Sequence, residues 1–596
     1  MTPGYHGCYL RVDLTTQRAT SVPIEESVLR AFIGGGGLGA WILLQECPPG
    51  VDPFAADAPL LFVFSPLVGS PLTTSAKFSI LAKSPLTQRI NDSLSSSHFA
   101  IAGKKTGYDA LCITGHSQDF TTLVITPEGV SFLSATHLKG ASSEEAGRRI
   151  RSQLGNPFRV AAIGPGGENL VRFATISNDG RHAGRGGLGA VMGAKRLKAI
   201  AVSGDRLVDF AKPKELVAYS RELSKKSVGE ATAKYRELGT VGNLLTFNRL
   251  GTLPTRNFQT TVFPEADFLA FEHSSRERIR SSCAACTIGC EHLFPRSEKD
   301  SVPVRMEYEN LFALGPLCGV SDPEAVLVAS GFCDEMGMDT VSAGVTIAFA
   351  MECAERGMID APGLRFGSPT ALMKALEAIS HRRGIGEILA DGVRIASQRI
   401  GQGSEEFASH VKGLELPGYD PRALQTMALG FAVGTRGADH NRSGAYQVDF
   451  SEQVDRFHPG KASVQLAIAT ENEAAILDSL ILCKFLRGAL EDRFGEMACM
   501  LSLITGWDVS ANELEETASR IISAKKLFNI RQGWTPDEDR LPERFFQSPI
   551  PEGASQGAIL SREEFHQRIH LYNRQRGWTE DGYLPEEIVR RVESEK

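Results

Sequence analysis

Short apolar runs separated by Gly, Pro and Ser fill the first third of the chain: CYLRVDL (8–14), LLFVFSPL (60–67), FSILAKSPL (78–86), ALCITG (110–115), TLVIT (122–126), RVAAIG (159–164), RFATIS (172–177) and KAIAVSG (198–204). Runs of this length, rich in Val, Ile and Phe and bounded by turn residues, read as strands with few helices between them. From about residue 207 the apolar period changes. KPKELVAYSRELSKKSVGEATAKYRELG (212–239), PEAVLVASGFCDEMG (323–337), VSAGVTIAFAMECAERG (341–357) and PTALMKALEAI (369–379) place apolar positions three and four apart, which predicts helices. Beyond 414 the pattern is again helical, ending in a polar tail read as loop and short helix. The predicted class is α+β. A β-rich amino-terminal domain spans 1–206, and mainly helical domains span 207–413 and 414–596. No short fixed repeat is visible.

Composition narrows the function classes. A chain of 596 residues exceeds one compact core, and 42% hydrophobic with 23% charged residues is ordinary for a soluble protein. A net charge of −7 without a basic stripe argues against nucleic acid. APLLFVFSPLVG (58–69) is too short for a bilayer and holds two prolines, so no membrane association is expected. MTPGYHGCYLRVDL lacks the basic and apolar regions of a signal peptide, and the mostly isolated cysteines form no disulfide framework. A reducing cytoplasm is the expected location.

The cysteines also carry the first chemical signal. CAACTIGC (283–290) sets Cys283, Cys286 and Cys290 at C-x2-C-x3-C spacing, which suits three corners of an iron–sulfur cubane and leaves a fourth ligand to be found. Zinc would ask for a second Cys or His pair, and His292 is too close to serve. Cys8, Cys47 and Cys112 fall in the sheet region, while Cys318, Cys333, Cys353 and Cys499 have apolar, core-like surroundings. Cys483 differs, because it closes the frame DSLILC, five residues after Asp478. The frame DEMGMD (334–339) is laid out alike, with Asp334 and Asp339 bracketing Gly337. Two such frames suggest two similar holders for two similar ligands, although acids at helix ends are also ordinary caps.

Two glycine segments match G-x-G-x-x-G: GGGGLG (34–39) and GRGGLG (184–189). The first reads equally well as a pair of tight turns. The second lies about twenty residues before Asp205, as a dinucleotide fingerprint asks. What precedes it, however, is RHA after the turn NDG rather than a strand leading into the loop. Glycine N–H groups beside Arg181 and Arg185 instead make a cradle for phosphates.

Taken with YLRVDLTT (9–16), SAKFSILAKSPLT (75–87), GRHAGRGGLGAVMGAKRLKAI (180–200), EYE (307–309), TRGADH (435–440) and DEDRLPERF (537–545), these motifs fall in one order along the chain. In this the sequence resembles the tungsten-containing aldehyde ferredoxin oxidoreductase family from about residue 5 to its end. The resemblance implies two related sheets binding a bis-pterin cofactor that carries tungsten or molybdenum, a 4Fe–4S cluster, and a magnesium ion bridging the pterin phosphates. It implies oxidation of an aldehyde by water, with electrons passed to ferredoxin or a ferredoxin-like subunit. The assembly would be a homodimer or part of a multi-subunit complex.

Carried onto this chain, the resemblance makes Cys283, Cys286, Cys290 and Cys483 the cluster ligands, which supplies the fourth thiol. Asp334 and Asp478 become the acids that hold one pterin each, with Asp339 and Leu482 as further cofactor contacts. The loop Arg181–Gly187, including Ala183, Arg185 and Gly186, becomes the phosphate-facing segment. Glu309 becomes a general base and His440 a donor beside the metal.

Several departures stand out. Ile481 replaces a usual glycine, so the backbone there is expected to shift. Leu94 replaces an asparagine beside the magnesium, leaving only its carbonyl. Lys77 replaces an arginine, keeping charge without the bidentate fork. Val328 stands where an acid would bridge an intersubunit iron, so that metal is not expected. A related enzyme reducing an aromatic acyl thioester, and a non-catalytic iron–sulfur subunit, are the alternative readings.

Overall fold

The structure, a computed structural model, describes residues 2–271, 277–297 and 302–593. Its amino-terminal part holds two six-stranded sheets. The first contains β1 (Cys8–Asp13), β2 (Arg18–Pro23), β3 (Leu60–Val63), β4 (Lys77–Lys83), β5 (Ile90–Ser96) and β6 (Ala110–Thr114), in the order β2-β1-β6-β3-β4-β5. The second contains β7 (Thr121–Thr126), β8 (Gly129–Ser134), β9 (Arg159–Ala162), β10 (Ile176–Asn178), β11 (Arg181–Ala183) and β12 (Leu197–Val202), in the order β11-β10-β9-β12-β7-β8. Adding six to every strand number of the first sheet yields the second. The senses match as well: β1 lies parallel to β6 and β7 to β12, while the other pairs are antiparallel. The two sheets are therefore copies of one topology.

Apolar residues of both sheets form a shared core, among them Leu10, Phe62, Phe78 and Ile80 from the first and Ile125, Ile163, Ile176 and Ile200 from the second. The buried central strands are the ones the apolar runs predicted. The hairpin edge strands β2 and β8, largely exposed, escaped that pattern: β2 is mostly polar, and β8 is short and only partly buried through Val130, Phe132 and Leu133.

The sheet region holds more helix than its punctuation predicted: Glu26–Phe32, Gly35–Glu46, His98–Lys104, Ser143–Leu154 and Leu188–Ala194 all connect strands. The run GGGGLG is not a pair of turns. It opens the helix Gly35–Glu46, and Gly35, at φ +41°, packs so closely on the Asp478 carbonyl that a Cβ there would collide. Helical glycines are chosen here for backbone contact. The segment RHA before the second glycine loop is itself the strand β11, contrary to the sequence reading. The dinucleotide unit is still excluded, for another reason. The antiparallel ladder β11–β10–β9–β12 makes β11 run opposite to β12, whereas that unit requires parallel strands.

The rest is helical. Pro213–Ser227 and Glu230–Leu238 break near Gly229, and Pro323–Met336, Thr340–Glu355 and Pro369–Ser380 occupy the predicted positions. In the carboxyl-terminal part the main helices are Ala462–Leu480, Ala511–Arg531 and Arg562–Gln575, so the polar tail is more helical than expected. A small sheet of β13 (Ile279–Ser281), β14 (Glu291–Phe294) and β15 (Val304–Arg305) carries the three clustered cysteines in its first connection. Cys318, Cys333 and Cys353 are buried, but Cys499 is exposed on the outer side of its helix. Among the described residues no helix is long and apolar enough to cross a membrane.

Candidate cofactor and catalytic site

The cysteine connection is held by the strand entry opposite it. The Thr74 N–H donates to the Ala285 carbonyl at 2.6 Å, the Thr287 N–H donates to Thr73 Oγ1 at 3.1 Å, and the Cys483 N–H donates to Thr74 Oγ1 at 3.3 Å. Thr73 and Thr74 thus tie together two segments almost two hundred residues apart. Ala285 and Gly289 adopt positive φ, letting the chain wrap between the thiols. Ser96 Oγ lies 3.1 Å from Cys283 Sγ. Lys77, at the start of β4, faces all four sulfurs. Burial pushes its ammonium down, but Cys483, Cys283, Cys290 and Cys286 more than offset this and hold it above its ordinary value. Burial likewise pushes the Cys286 and Cys290 thiols up. Among the described residues no group of three or more His, Cys, Asp or Glu is compact enough to grip a single ion.

The two acidic frames share a backbone. Each begins in the last turn of a helix and reaches the left-handed region three residues after its first aspartate, at Gly337 (φ +72°) and at Ile481 (φ +63°). At Ile481 the isoleucine takes a left-handed conformation that favours glycine. Asp334 is about one-third exposed and lies 3.3 Å from His182 Nε2. Asp339 caps the next helix by accepting from the Val341 and Ser342 N–H groups, and Arg185 Nε lies 3.4 Å away. Asp478 is buried, 3.0 Å from Arg442 Nη1 and 3.1 Å from Lys484 Nζ. Its carboxylate balances these two cations and keeps unfilled hydrogen-bonding capacity at both oxygens. Leu482 is fully buried.

In the glycine loop the structure separates the two arginines. Arg181 turns away to Glu291 at 2.6 Å, a carboxylate it shares with Arg305, and so clamps β11 to the cysteine sheet. Arg185 turns inward, donating to the Ala438 and Glu415 carbonyls at 2.8 and 2.5 Å. Ala183 is buried at the end of β11. Gly186 and Gly187 sit at φ +86° and +77°, and a Cβ on either would collide with Asn91 or with the Arg172 carbonyl. Leu94 is half-buried on β5 opposite Ser79; its side chain has no polar atom to offer.

Beside it lies a group that the sequence reading missed. Asp92 is buried against Arg442 at 3.0 Å, Lys525 at 2.7 Å and Arg436. Burial pushes its carboxyl up, yet these three cations hold it well below the usual range. Arg436 also pairs with Asp439, which caps the short helix His440–Ser443. The segment RGADHNR (436–442), with an acid three positions and a second arginine six positions after its first residue, carries this signal beside its histidine.

Glu309 stands in the first turn of the helix Tyr308–Leu314, and His440 opens its own helix. They meet with His440 Nδ1 3.5 Å from Glu309 Oε1. Burial pushes Glu309 up to about 8, tempered by the Gly418 N–H that donates to Oε2 at 3.1 Å. Burial pushes His440 down to about 4. At neutral pH this is a pair of mainly neutral groups, not a salt bridge. Asn441 Nδ2 lies 2.9 Å from His440 Nε2; an amide NH2 only donates, so the ring proton sits on Nδ1. Glu309 Oε1 and His440 Nδ1 are both buried without a hydrogen-bond partner. Two such atoms facing one space are what a site for a polar reactant looks like.

The model of the aldehyde ferredoxin oxidoreductase N-terminal domain matches residues 9–204, and that of domains 2 and 3 matches residues 216–593. The chain belongs to the aldehyde ferredoxin oxidoreductase family. It is 35% identical over 610 residues to the tungsten-containing aldehyde ferredoxin oxidoreductase of Pyrococcus furiosus, covering 98% of each chain. Against the protein of that name from Thermococcus kodakarensis it is 35% identical over 608 residues, again with 98% of each covered. The WOR-like subunit of aliphatic sulfonate oxidoreductase from Pyrococcus furiosus is 30% identical over 628 residues, covering 98% of this chain and 96% of that one. Among solved structures, the active-site complex BamBC of benzoyl-coenzyme A reductase with 1,5-dienoyl-CoA superposes with a TM-score of 0.83 at 24% identity. It covers 100% of this chain and 97% of its own, and at that identity it shows the shared fold. The α+β class with paired amino-terminal sheets is the fold of the aldehyde ferredoxin oxidoreductase family, and the chain is an oxidoreductase of that tungsten-containing family.

Proposed function

We propose that this chain oxidises an aldehyde to a carboxylic acid with water and passes the electrons through a 4Fe–4S cluster to ferredoxin or a ferredoxin-like subunit in the cytoplasm. The observation that carries the reading is the buried pair Glu309 and His440, each left with an unpartnered atom facing the other. The residues fit the cofactors as well. Four thiols around one ammonium suit a cluster several ångströms across. The open hydrogen-bonding capacity of Asp478 and of Asn91 Oδ1 suits the edge of a polar ring system.

In this reading Cys283, Cys286, Cys290 and Cys483 would hold the cluster, with the Lys77 ammonium beside the four thiols. Asp334, Asp339, Asp478 and Leu482 hold the pterins. Ala183, Arg185, Gly186, Gly187 and the Leu94 carbonyl face the phosphates and their magnesium. Arg181 acts one layer out, through Glu291. A tungsten bis-pterin held there would supply two-electron redox chemistry, and a cluster held by the four thiols would supply one-electron transfer.

The chain's own groups handle the protons. The ionised form of Glu309 accepts a proton from the water that adds to the aldehyde carbon, with Oε2 steadied by Gly418 N–H and Oε1 free to act. His440 donates from Nδ1–H to the carbonyl oxygen, its tautomer fixed by Asn441. Aldehyde and water give acid, two electrons and two protons.

The test is Glu309→Gln, which keeps size and removes the base. Turnover should fall by about 10²–10⁴ with tungsten and iron content unchanged, and His440→Ala should lose a comparable factor. Because the carboxyl ionises near 8, wild-type kcat/KM should climb with pH until about 8, a limb absent in Glu309→Gln. Near-normal turnover in that variant would remove Glu309 as the base, and loss of metal would make it structural.

A further inference from the structure

Beside the catalytic pair runs a column of aromatic rings that the chemistry above does not use. Tyr419 lies against His440, ring centres 4.8 Å apart. Phe247 follows at 5.5 Å from Tyr419, and Phe450 stacks on Phe247 at 5.3 Å with planes 17° apart. Tyr446 forms a second rail, 6.0 Å from His440, 5.2 Å from Tyr419 and 6.5 Å from Phe450. Its hydroxyl accepts from Arg487 Nη2 at 2.9 Å, which fixes the ring. Tyr308 meets Phe247 edge to face at 4.9 Å and is anchored by its hydroxyl on the Gly418 carbonyl, the residue that orients Glu309.

The column runs from surface to centre. Phe450 is 38% exposed, as is Leu250, three positions beyond Phe247, whereas Phe247 and Tyr419 are buried. This set ends in solvent on one side and, on the other, at the two unpartnered atoms of Glu309 and His440. Aromatic faces favour offset or edge-on contact with another ring, and a short aliphatic aldehyde has no surface to exploit them.

We infer that the chain prefers aryl aldehydes to short aliphatic ones, with Phe450 admitting the ring and Phe247 and Tyr446 gripping it while the formyl group reaches Glu309 and His440. This rests on the aldehyde-oxidation reading. Anaerobically purified holoenzyme would be assayed with benzaldehyde and with acetaldehyde against a viologen dye. In parallel, benzoate and acetate binding would be followed by calorimetry. We expect the wild type to favour benzaldehyde in kcat/KM. Phe247→Leu should lower the benzaldehyde-to-acetaldehyde ratio roughly tenfold or more and weaken benzoate but not acetate binding. Phe450→Ala, at a partly exposed position, should lower the ratio by a smaller factor. A wild-type ratio at or below one overturns the inference, as does a ratio unchanged in both metal-replete variants. If neither aldehyde is oxidised yet benzoate binds and is lost in Phe247→Leu, the proposed reaction fails while the aryl site stands.

Discussion

DEMGMD and DSLILC are two six-residue frames with one backbone and two fates. Both start with an aspartate in the last turn of a helix and turn through a left-handed residue at the fourth position. The first sits at the rim, where Asp334 is partly exposed beside His182 and Asp339 caps the helix Thr340–Glu355. The second is buried, with Asp478 between two cations and the cap position occupied by Cys483. In the proposed reading the local geometry is a holder, and the sixth residue decides what is held. A carboxylate there engages a helix and Arg185; a thiolate there completes a set of four. The same economy appears in the two sheets, which repeat one strand order but place Asp92 with its cations on β5 in one copy and the glycine loop after β11 in the other.

The comparison breaks most sharply at its sixth position. Cys483→Ser should lose much of the iron and the cluster's absorption, while Asp339→Asn should keep both. An unchanged iron content in Cys483→Ser would mean that another group completes the set.

Next in size is a contrast between buried acids. Asp478 has cations beside it, whereas desolvation dominates at Glu309. The folded carboxyl of Glu309 ionises near 8 against an ordinary 4.5. A raised value means that the folded state holds the proton while the unfolded state releases it. The penalty is therefore absent below about 4.5, grows as pH rises, and is complete above about 8, reaching up to roughly 5 kcal/mol. Glu309→Gln should raise thermal stability at pH 8 and leave it little changed at pH 4.5. Equal shifts at both pH values would show that burial does not govern this carboxyl.

Asp478→Asn should act in the opposite direction, destabilising by about 3 kcal/mol because Arg442 and Lys484 lose a buried counter-charge. Asp334→Asn should change stability by under about 1 kcal/mol, because the acid is partly exposed and burial keeps His182 mainly neutral. Thermal unfolding of the two variants side by side decides this, and equal losses would erase the difference between the frames.

What the sequence revealed depended on how each feature is built. Buried strands such as β12 and helices such as Pro323–Met336 announce themselves through apolar period. The strand β2 is mostly polar and β8 is short and only partly buried, and in GGGGLG the glycine at position 35 is required by another helix end pressing on it, a long-range contact invisible in a local window. The resemblance named Cys483 and the pair Glu309–His440, and the fold brings these residues to their companions. It did not reveal that Arg181 is already taken by Glu291, nor that Asp92 gathers Arg436, Arg442 and Lys525. Those pairings join residues about 110 to 430 positions apart, and no spacing rule reaches that far.

The smallest effect expected lies at the position that most separates the frames, Gly337 against Ile481. Gly337 adopts φ +72° without penalty, while Ile481 adopts φ +63° with a branched side chain, a conformation that costs an L-residue about 1–2 kcal/mol. It persists because the side chain is fully buried and lies against Gly35, where a Cβ would strike it. Truncating a buried isoleucine ordinarily costs about 2–5 kcal/mol, so relief of strain should cancel part of that loss. Ile481→Gly should then destabilise by only about 1–2 kcal/mol. Leu482→Ala, equally buried one residue later and at no positive φ, should lose the full amount for its class. Thermal unfolding of the two variants under identical anaerobic conditions makes the comparison. If Ile481→Gly loses as much stability as Leu482→Ala, the left-handed isoleucine carries no strain, and the frame tolerates a branched residue as readily as a glycine.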